Sequence, residues 1–242
     1  MAQSIIDYCR GVRVGLFVTC LGDTLSPEVG RATVTLLERL GVEVEFPREQ
    51  TCCGQLHRNA GYPDVAARLA RRFAEVFAPY DWVVVPSGSC AAHVREYVAS
   101  VTDDRDGVAT RTLELSEFLV DRLELTDVGS TYRGSVTYHP TCHSLRGLRV
   151  GDRPEALLRG VAGLDLRPLA DAEECCGFGG TFAVRNADVS TAMLADKLRR
   201  VEESGADMVC ACDASCLLQL RGGLERRGSA VGALHLAEVL AR

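Results

Sequence analysis

The stretches Val12-Arg-Val-Gly-Leu-Phe-Val-Thr-Cys20 and Ser135-Val-Thr-Tyr-His-Pro-Thr-Cys142 are short, contain several β-branched or aromatic residues, and both end in Thr-Cys. Their β-branched and aromatic side chains favour a β-strand. After the first stretch, Ser26 and Pro27 suit the N-cap and first position of a helix, and apolar residues recur at helical spacing from Val29 to Leu40. A strand followed by an amphipathic helix is therefore predicted.

The motif Cys52-Cys-Gly54 occurs again as Cys175-Cys-Gly177. Arg-Asn-Ala follows both copies, at 58–60 and at 185–187, with four extra residues, Phe178-Gly-Gly-Thr181, before the second. Scattered cysteines would not repeat in this way, so an internal duplication is predicted. The offsets between the halves are 122 positions from Cys20 to Cys142, 123 from Cys52 to Cys175 and 126 from Cys90 to Cys216.

Strand-like and helix-like segments alternate in each copy, which is typical of parallel sheets covered by helices. The apolar runs Trp82-Val-Val-Val85 and Met208-Val-Cys-Ala211 are typical of buried parallel strands. The predicted fold class is α/β, with two similar parallel-sheet α/β halves related by internal duplication. They comprise residues 1–125 and 135–242, joined by a linker over 126–134. The other predicted segments are strands over 42–46 and 164–169 and helices over 65–77, 113–123, 155–161, 188–204 and 234–240.

Each half places one cysteine after its first strand, an adjacent pair after its second strand and a fourth cysteine after a later apolar strand. Because the carboxyl ends of parallel strands share one edge of the sheet, where ligands bind, these four sulfurs are expected to converge. Several of them also precede helices, whose positive ends stabilise thiolates. The two sets are Cys20, Cys52, Cys53 and Cys90, and Cys142, Cys175, Cys176 and Cys216.

The adjacent cysteine pair indicates metal ligands rather than a disulfide. Consecutive Cα atoms lie about 3.8 Å apart, below the roughly 4.4–6.8 Å of an unstrained bridge. Iron–sulfur clusters and zinc both accept four thiolates, but structural zinc sites more often use Cys-x-x-Cys pairs, which are missing here. An iron–sulfur cluster is therefore favoured, most simply [4Fe–4S], one or two per chain. Zinc and metal-free redox thiols remain as alternatives.

The composition excludes several classes of protein. The net charge of −6 argues against nucleic acid as a partner. No apolar run approaches the roughly 20 residues of a membrane span, and the first residues lack the features of a secretory signal. A cytoplasmic location is expected. Because cytosolic thiols are kept reduced, the eleven cysteines indicate metal binding or redox chemistry.

Some cysteines outside the two sets have competing interpretations. Cys212 could replace a ligand four residues before Cys216, but a structural role at a strand end is favoured. Cys210 is predicted to lie in the core, and Cys9 has no repeat partner and no assigned role. Lys197, the only lysine, is interpreted as a result of base composition rather than of function.

The five histidines are also ambiguous. His57, His139 and His143 follow or flank candidate ligands, so each could bind metal, relay protons or hydrogen-bond to a cluster sulfide. A loop histidine with satisfied hydrogen bonds is favoured for all three, and His93 and His235 are interpreted as structural. The segment Gly177-Phe-Gly-Gly180 lacks the last glycine of the dinucleotide-binding fingerprint G-x-G-x-x-G, so no nicotinamide site is predicted.

Taken together, the motifs resemble those of the lactate-utilisation protein A family, which carries the cysteine-rich "CCG" domain twice. That duplicated form is similar to the B subunit of heterodisulfide reductase and the iron–sulfur subunit of glycolate oxidase. The resemblance covers nearly the whole chain. The motifs are Leu16-Phe-Val-Thr-Cys20, Pro86-Ser-Gly-Ser-Cys90, Cys175-Cys-Gly-Phe-Gly-Gly-Thr-Phe182 and His235-Leu-Ala-Glu-Val-Leu240.

This resemblance implies a cytoplasmic iron–sulfur electron-transfer subunit that works with the lactate-utilisation B and C proteins in oxidising L-lactate to pyruvate. It implies cluster ligation by the eight cysteines of the two sets. No other catalytic constellation is present, so no catalytic residue is assigned. Two alternatives are kept: thiol–disulfide redox chemistry as in heterodisulfide reductase, and a zinc-bound or metal-free scaffold subunit.

The chain departs from the family pattern where a Cys-x-x-Cys is expected. Ser87 stands in place of the first cysteine in one half, and Asp213 in the other. Four thiolates per half remain where the heterodisulfide reductase relative has five, so ordinary four-thiolate sites with weaker metal retention are expected.

Overall fold

The structure is a computed structural model that describes residues 12–104 and 107–242. The chain divides into two compact units that meet in sequence between Leu125 and Thr126. Each unit contains one four-stranded sheet in which every neighbouring pair is parallel. The predicted α/β fold with two similar halves is confirmed. Among the described residues, every helix is too short or too polar to cross a lipid bilayer.

The first unit has the strand order β2-β1-β3-β4. Val14 of the first strand pairs with Val44 on one side and Trp82 on the other. The elements are β1 Arg13–Leu16, α1 Cys20–Leu25, α2 Pro27–Arg39, β2 Glu43–Glu45, α3 Gln55–Asn59, α4 Pro63–Phe77, β3 Trp82–Val85, α5 Gly88–Val101, β4 Thr112–Glu114 and α6 Leu115–Glu117, which continues as a π-helix, Phe118–Arg122.

The second unit repeats this topology with the order β6-β5-β7-β8. Val136 of its first strand pairs with Leu166 on one side and Met208 on the other. The elements are β5 Thr131–Tyr138, a π-helix His143–Leu148, α7 Arg153–Arg159, β6 Ala162–Arg167, α8 Phe182–Arg185, α9 Ala187–Glu203, β7 Met208–Ala211, α10 Ala214–Arg227, β8 Gly232–His235 and α11 Leu236–Leu240.

This strand order creates a switch point in each sheet. The chain leaves β1 toward one side to form β2 and then returns to the other side to form β3, and β5, β6 and β7 do the same. In open parallel sheets, ligands bind beyond the carboxyl ends of the strands on either side of such a point. The loops after β1 and β3, and after β5 and β7, are therefore the expected location of a site.

Each unit has its own core. In the first, the ring of Phe17 contacts those of Phe73 and Phe77 edge-on, with centroids 5.0 and 5.6 Å apart. In the second, apolar side chains of α9, α10 and β7 pack together, including Leu198 and Leu220. Burial of this apolar surface is the main source of stability and holds the sheet edges in place.

Two predicted helices were wrong in part. The segment 113–123 begins as β4, because Leu113 pairs with Val84 of β3, and the helix starts only at Leu115. The segment 234–240 likewise begins in β8, where Leu234 pairs with Cys210. Both strands run directly into a helix, so no turn residue marks the change. Residues 131–134, in the range predicted as linker, form the start of β5.

Candidate metal centres

Three loops bring the first set of cysteines to one edge of the first sheet. Cys20 begins α1, directly after Thr19, whose hydroxyl caps the helix by accepting from the Gly22 N–H at 3.2 Å. Cys90 lies in the first turn of α5, where Ser87 caps the helix by accepting from the Cys90 N–H at 3.3 Å. The position that is cysteine in the family pattern is therefore a helix cap here, which fixes the backbone of the remaining cysteine.

The four sulfurs of the first unit form a chain of contacts. The Cys20 Sγ lies 3.6 Å from the Cys52 Sγ, and the Cys53 Sγ lies 3.3 Å from the Cys90 Sγ. The Gly54 N–H donates to the Cys52 Sγ at 3.4 Å. The structure thus brings together the whole set predicted for this half.

The second unit reproduces this arrangement. Cys142 and Cys176 both donate to the Cys175 sulfur, and Cys176 also contacts Cys216. The Gly177 N–H donates to the Cys175 Sγ at 3.3 Å. The second predicted set is therefore also assembled at one site.

The first cysteine of each adjacent pair is the favoured thiolate. The pKa of Cys52 is lowered to about 2, first because the Cys20 thiol donates to it and then because the Cys53 thiol does, with a smaller contribution from the Gly54 N–H. The pKa values of Cys20 and Cys53 are raised, mainly because each holds the proton that it donates to Cys52. One negative charge is thus shared among several thiols, as suits a cation-binding group.

The same distribution of protons occurs in the second unit. The pKa of Cys175 is lowered to about 2, mainly by hydrogen bonds from the Cys142 and Cys176 thiols. The pKa values of those two donors are raised for the same reason. Both sites therefore present a preformed thiolate.

The two sites also share a gradient of exposure. Cys53, Cys90, Cys176 and Cys216 are buried, while Cys20, Cys52, Cys142 and Cys175 are partly exposed. In the first unit the exposed side opens to a cavity of about 490 Å³. Its lining includes Cys20, Cys52, Asp23, Phe46, Arg48 and Gln50.

Glycine is required after each cysteine pair. Gly54 and Gly177 have φ values of +91° and +85°, a conformation that costs other residues about 1–2 kcal/mol. The space is also limited, because a Cβ on Gly177 would lie 2.5 Å from the Ser190 carbonyl oxygen. On Gly54 the nearest atoms, in Ala66, would be 3.3 Å away. These turns direct the N–H of each glycine toward the thiolate.

The remaining cysteines do not join the two sets. The Cys212 Sγ lies 3.2 Å from the Tyr138 hydroxyl and 3.4 Å from the Ser144 hydroxyl, a position that favours the structural interpretation. Cys210 is fully buried in β7. Cys9 lies outside the described residues. None of the ten described cysteines forms a disulfide.

His139 differs from the sequence interpretation of a loop histidine with satisfied hydrogen bonds. It follows β5 directly and is only 1% exposed, and apart from the Ala172 backbone, which lies near the ring, neither ring nitrogen has a hydrogen-bond partner among the described residues. The pKa of His139 is lowered to about 3, first by burial and then by the nearby charge of Lys197; Cys175 and the Ala172 backbone oppose this. A ring nitrogen of His139 and the sulfurs of Cys176 and Cys216 lie within 4.8 Å of one another.

The other histidines are placed differently. The Nδ1 of His143 lies 3.6 Å from the Cys142 Sγ, while His57 is only partly buried after the first pair. His93 stacks on Tyr97 with ring centroids 5.1 Å apart. The Nδ1 of His235 accepts from the Ala237 N–H at the start of α11.

Lys197 has a structural role that sequence analysis missed. Its side chain is fully buried, and its Nζ donates to the Asp171 and Ala172 carbonyl oxygens at 2.7 and 3.2 Å. It thereby fixes the loop that leads to Cys175. Burial lowers the pKa of Lys197, and the nearby acidic groups, Glu174 first, oppose that shift. A single lysine among 27 basic residues was the available signal.

Comparison with known proteins agrees with the duplicated site. The model of the CCG cysteine-rich domain matches twice, over residues 14–95 and 136–221. Similar proteins include lactate utilization protein A of Bacillus pumilus strain SAFR-032, 45% identical over 95% of this chain and 99% of the relative. That of Geobacillus kaustophilus strain HTA426 is 46% identical over 95% and 98%. Among solved structures, a putative Asp/Glu racemase from Yersinia pestis aligns over 95% of this chain and 96% of its own at 12% identity, but its TM-score of 0.39 supports no conclusion.

Proposed function

The chain belongs to the lactate utilization protein A family of duplicated cysteine-rich domains, and we propose that it is an iron–sulfur electron-transfer subunit of a cytoplasmic complex that oxidises L-lactate to pyruvate. The names of its relatives support a role in lactate utilization. The observation that carries the proposal is the convergence of four thiols, one of them a favoured thiolate, in each unit.

The chemistry of the donor groups suits an iron–sulfur cluster in each unit. The ligands in this proposal are Cys20, Cys52, Cys53 and Cys90 in the first unit and Cys142, Cys175, Cys176 and Cys216 in the second. Thiolate sulfur is the usual protein ligand of such clusters, and N–H groups like those of Gly54 and Gly177 stabilise the charge on the sulfur. A bound cluster would supply one-electron transfer.

The chain's own residues would hold the metal and control access to it. The buried cysteines of each pair, Cys53 and Cys176, would exclude water from one side, and the partly exposed Cys52 and Cys175 would form the accessible side. L-Lactate loses two electrons and two protons in becoming pyruvate, so two one-electron centres match one turnover. In this proposal the lactate-utilisation B and C proteins are the partners.

Metal analysis of the full chain tests the proposal. Anaerobic purification or reconstitution should give about eight iron and eight sulfide per chain, as expected for two [4Fe–4S] clusters. Cys53→Ser and Cys176→Ser should each remove about half of the iron. Cys210→Ala, which changes a buried thiol outside both sites, should keep all of it. A folded chain that takes up no iron would refute the proposal.

The short sulfur separations favour a second candidate, a zinc-stabilised scaffold subunit. A tetrahedral zinc ion with Zn–S bonds of about 2.3 Å holds its sulfurs about 3.8 Å apart, close to the 3.3 and 3.6 Å observed in the first unit. A four-iron core needs its thiolates farther apart, so binding it would require the loops to move outward. One zinc per site and no acid-labile sulfide in the same measurement would select this candidate.

A further inference from the structure

His139 and Phe17 occupy the same position in the two units. The Phe17 N–H donates to the Val84 carbonyl of β3 at 3.0 Å, and the His139 N–H donates to the Cys210 carbonyl of β7 at 2.8 Å. Leu16 pairs with Val84 just as Tyr138 pairs with Cys210. The duplication therefore repeats the backbone while the side chain changes from an apolar ring to one with two nitrogens.

The surroundings of the two rings differ accordingly. Phe17 packs against Phe73 and Phe77, so its environment is aromatic and needs no polar partner. His139 is 1% exposed, and apart from the Ala172 backbone near the ring, its two nitrogens have no hydrogen-bond partner among the described residues, so at least one nitrogen is left unpaired. A buried polar group left unpaired costs about 1–3 kcal/mol, and such groups in folded proteins usually have a reason.

A metal ion would satisfy one of these nitrogens. The His139 nitrogen and the sulfurs of Cys176 and Cys216 all lie within 4.8 Å of one another. Donors that share an ion at about 2.0–2.3 Å in tetrahedral geometry lie roughly 3.5–3.8 Å apart. The three groups would thus need to close by at most about 1.0–1.3 Å. Imidazole nitrogen also suits both iron and zinc.

We propose that His139 is a metal ligand in the second unit, where one ring nitrogen binds the same metal centre that Cys176 and Cys216 ligate. The second centre would then have mixed nitrogen and sulfur ligands, whereas the first, with Phe17 at the corresponding position, would have sulfur ligands alone. This inference rests on the proposed function only in requiring that metal binds to the second unit.

Isotope labelling of the iron-loaded full chain tests the ligand without any substitution. Pulsed EPR of the reduced protein should detect a strongly coupled nitrogen, and growth with ¹⁵N-histidine should convert its ¹⁴N signal to ¹⁵N. Backbone nitrogens would keep ¹⁴N in that sample. An iron-loaded chain without a strongly coupled histidine nitrogen would overturn the inference while leaving the proposed function standing.

Substitution then assigns the nitrogen. His139→Phe introduces the residue that the first unit carries at this position and should abolish the coupling. It should also speed metal loss to a chelator from the second unit by at least about 10- to 100-fold, since substitution of residues that only support a ligand already lowers metal affinity by that factor. His143→Gln is the matched control, since His143 lies beside Cys142, and it should leave the coupling unchanged. A coupling that survives His139→Phe would contradict the assignment.

Metal identity separates the two proposals. If the chain holds zinc and no iron, the proposed function fails, and zinc X-ray absorption then tests His139 by a nitrogen ligand that is present in the wild type and absent from His139→Phe. A chain that binds no metal overturns both.

Discussion

Lys197 is a buried cation with a structural task. Its ammonium group donates to two carbonyl groups of the loop before Cys175. Hydrogen bonds from a charged donor contribute about 1.5–3 kcal/mol each, and the carbonyls would lose their partner on substitution. We expect Lys197→Met, which keeps the length of the side chain, to lower the free energy of unfolding by about 2–4 kcal/mol in chemical denaturation.

The same helix provides a control for this substitution. Arg199 is exposed and paired with Asp196 at 2.8 Å, so Arg199→Ala should change stability by no more than about 0.5 kcal/mol. If the two substitutions lower the free energy of unfolding equally, the hydrogen bonds of the buried ammonium group do not contribute to stability.

His139 should make the stability of the metal-free chain depend on pH. Its pKa is lowered to about 3 in the folded chain from an ordinary value of 6.5, so the unfolded chain takes up the proton first as pH falls. Stability is therefore greatest above about pH 6.5 and decreases toward pH 3. The free-energy difference between wild type and His139→Phe should shift against the wild type by about 1.4 kcal/mol per pH unit between about pH 6 and 4. Urea titrations at several pH values would measure this difference. If it does not change with pH, the buried His139 does not make stability depend on pH.

At the scale of elements, the turn after each cysteine pair joins the site to a helix. Both glycines have positive φ, but Gly177 lies against the backbone of α9 at Ser190, while Gly54 has more room at Ala66. Gly54→Ala should therefore cost about 1–2 kcal/mol for its backbone conformation, and Gly177→Ala about 2–4 kcal/mol because a close contact is added. Denaturation midpoints of the metal-free variants would check this order. A larger loss for Gly54→Ala would contradict it.

Sequence patterns predicted the elements unevenly, for identifiable reasons. Trp82–Val85 and Met208–Ala211 are strands with the predicted bounds, because a short, fully apolar run that begins directly after an aspartate is a strong signal. The fourth strand of each sheet was missed, since Thr112–Glu114 and Gly232–His235 are short and are followed at once by helices.

The candidate sites were predictable to the extent that they repeat. The eight cysteines could be grouped because their offsets are similar, between 122 and 126 positions, and because the strand order brings the carboxyl ends of the strands together. The environment of His139 and the carbonyl partners of Lys197 could not, because they depend on contacts between segments distant in sequence that the first half does not share.

At the scale of the whole molecule, the two units share the groups that form the site but differ in a residue beside it. The thiols, the glycine after each pair and the strand order are the same in both units. The ring beside the site is Phe17 in one unit and His139 in the other. The shared strand order thus places the sulfur ligands at the same edge of each sheet, while the neighbouring position differs between the two units.

The preformed thiolates make both centres open to covalent labelling. Thiolate is the form of cysteine that attacks iodoacetamide, so in the metal-free folded chain Cys52 and Cys175 should be alkylated first at neutral pH. Cys210, fully buried and with a raised pKa, should react only on unfolding. Mass spectrometry of timed samples would show the order, and earlier labelling of Cys20 or Cys142 would contradict it. Because bound metal would protect the same sulfurs, the alkylation pattern of a purified sample would report, unit by unit, how much of it has lost its metal.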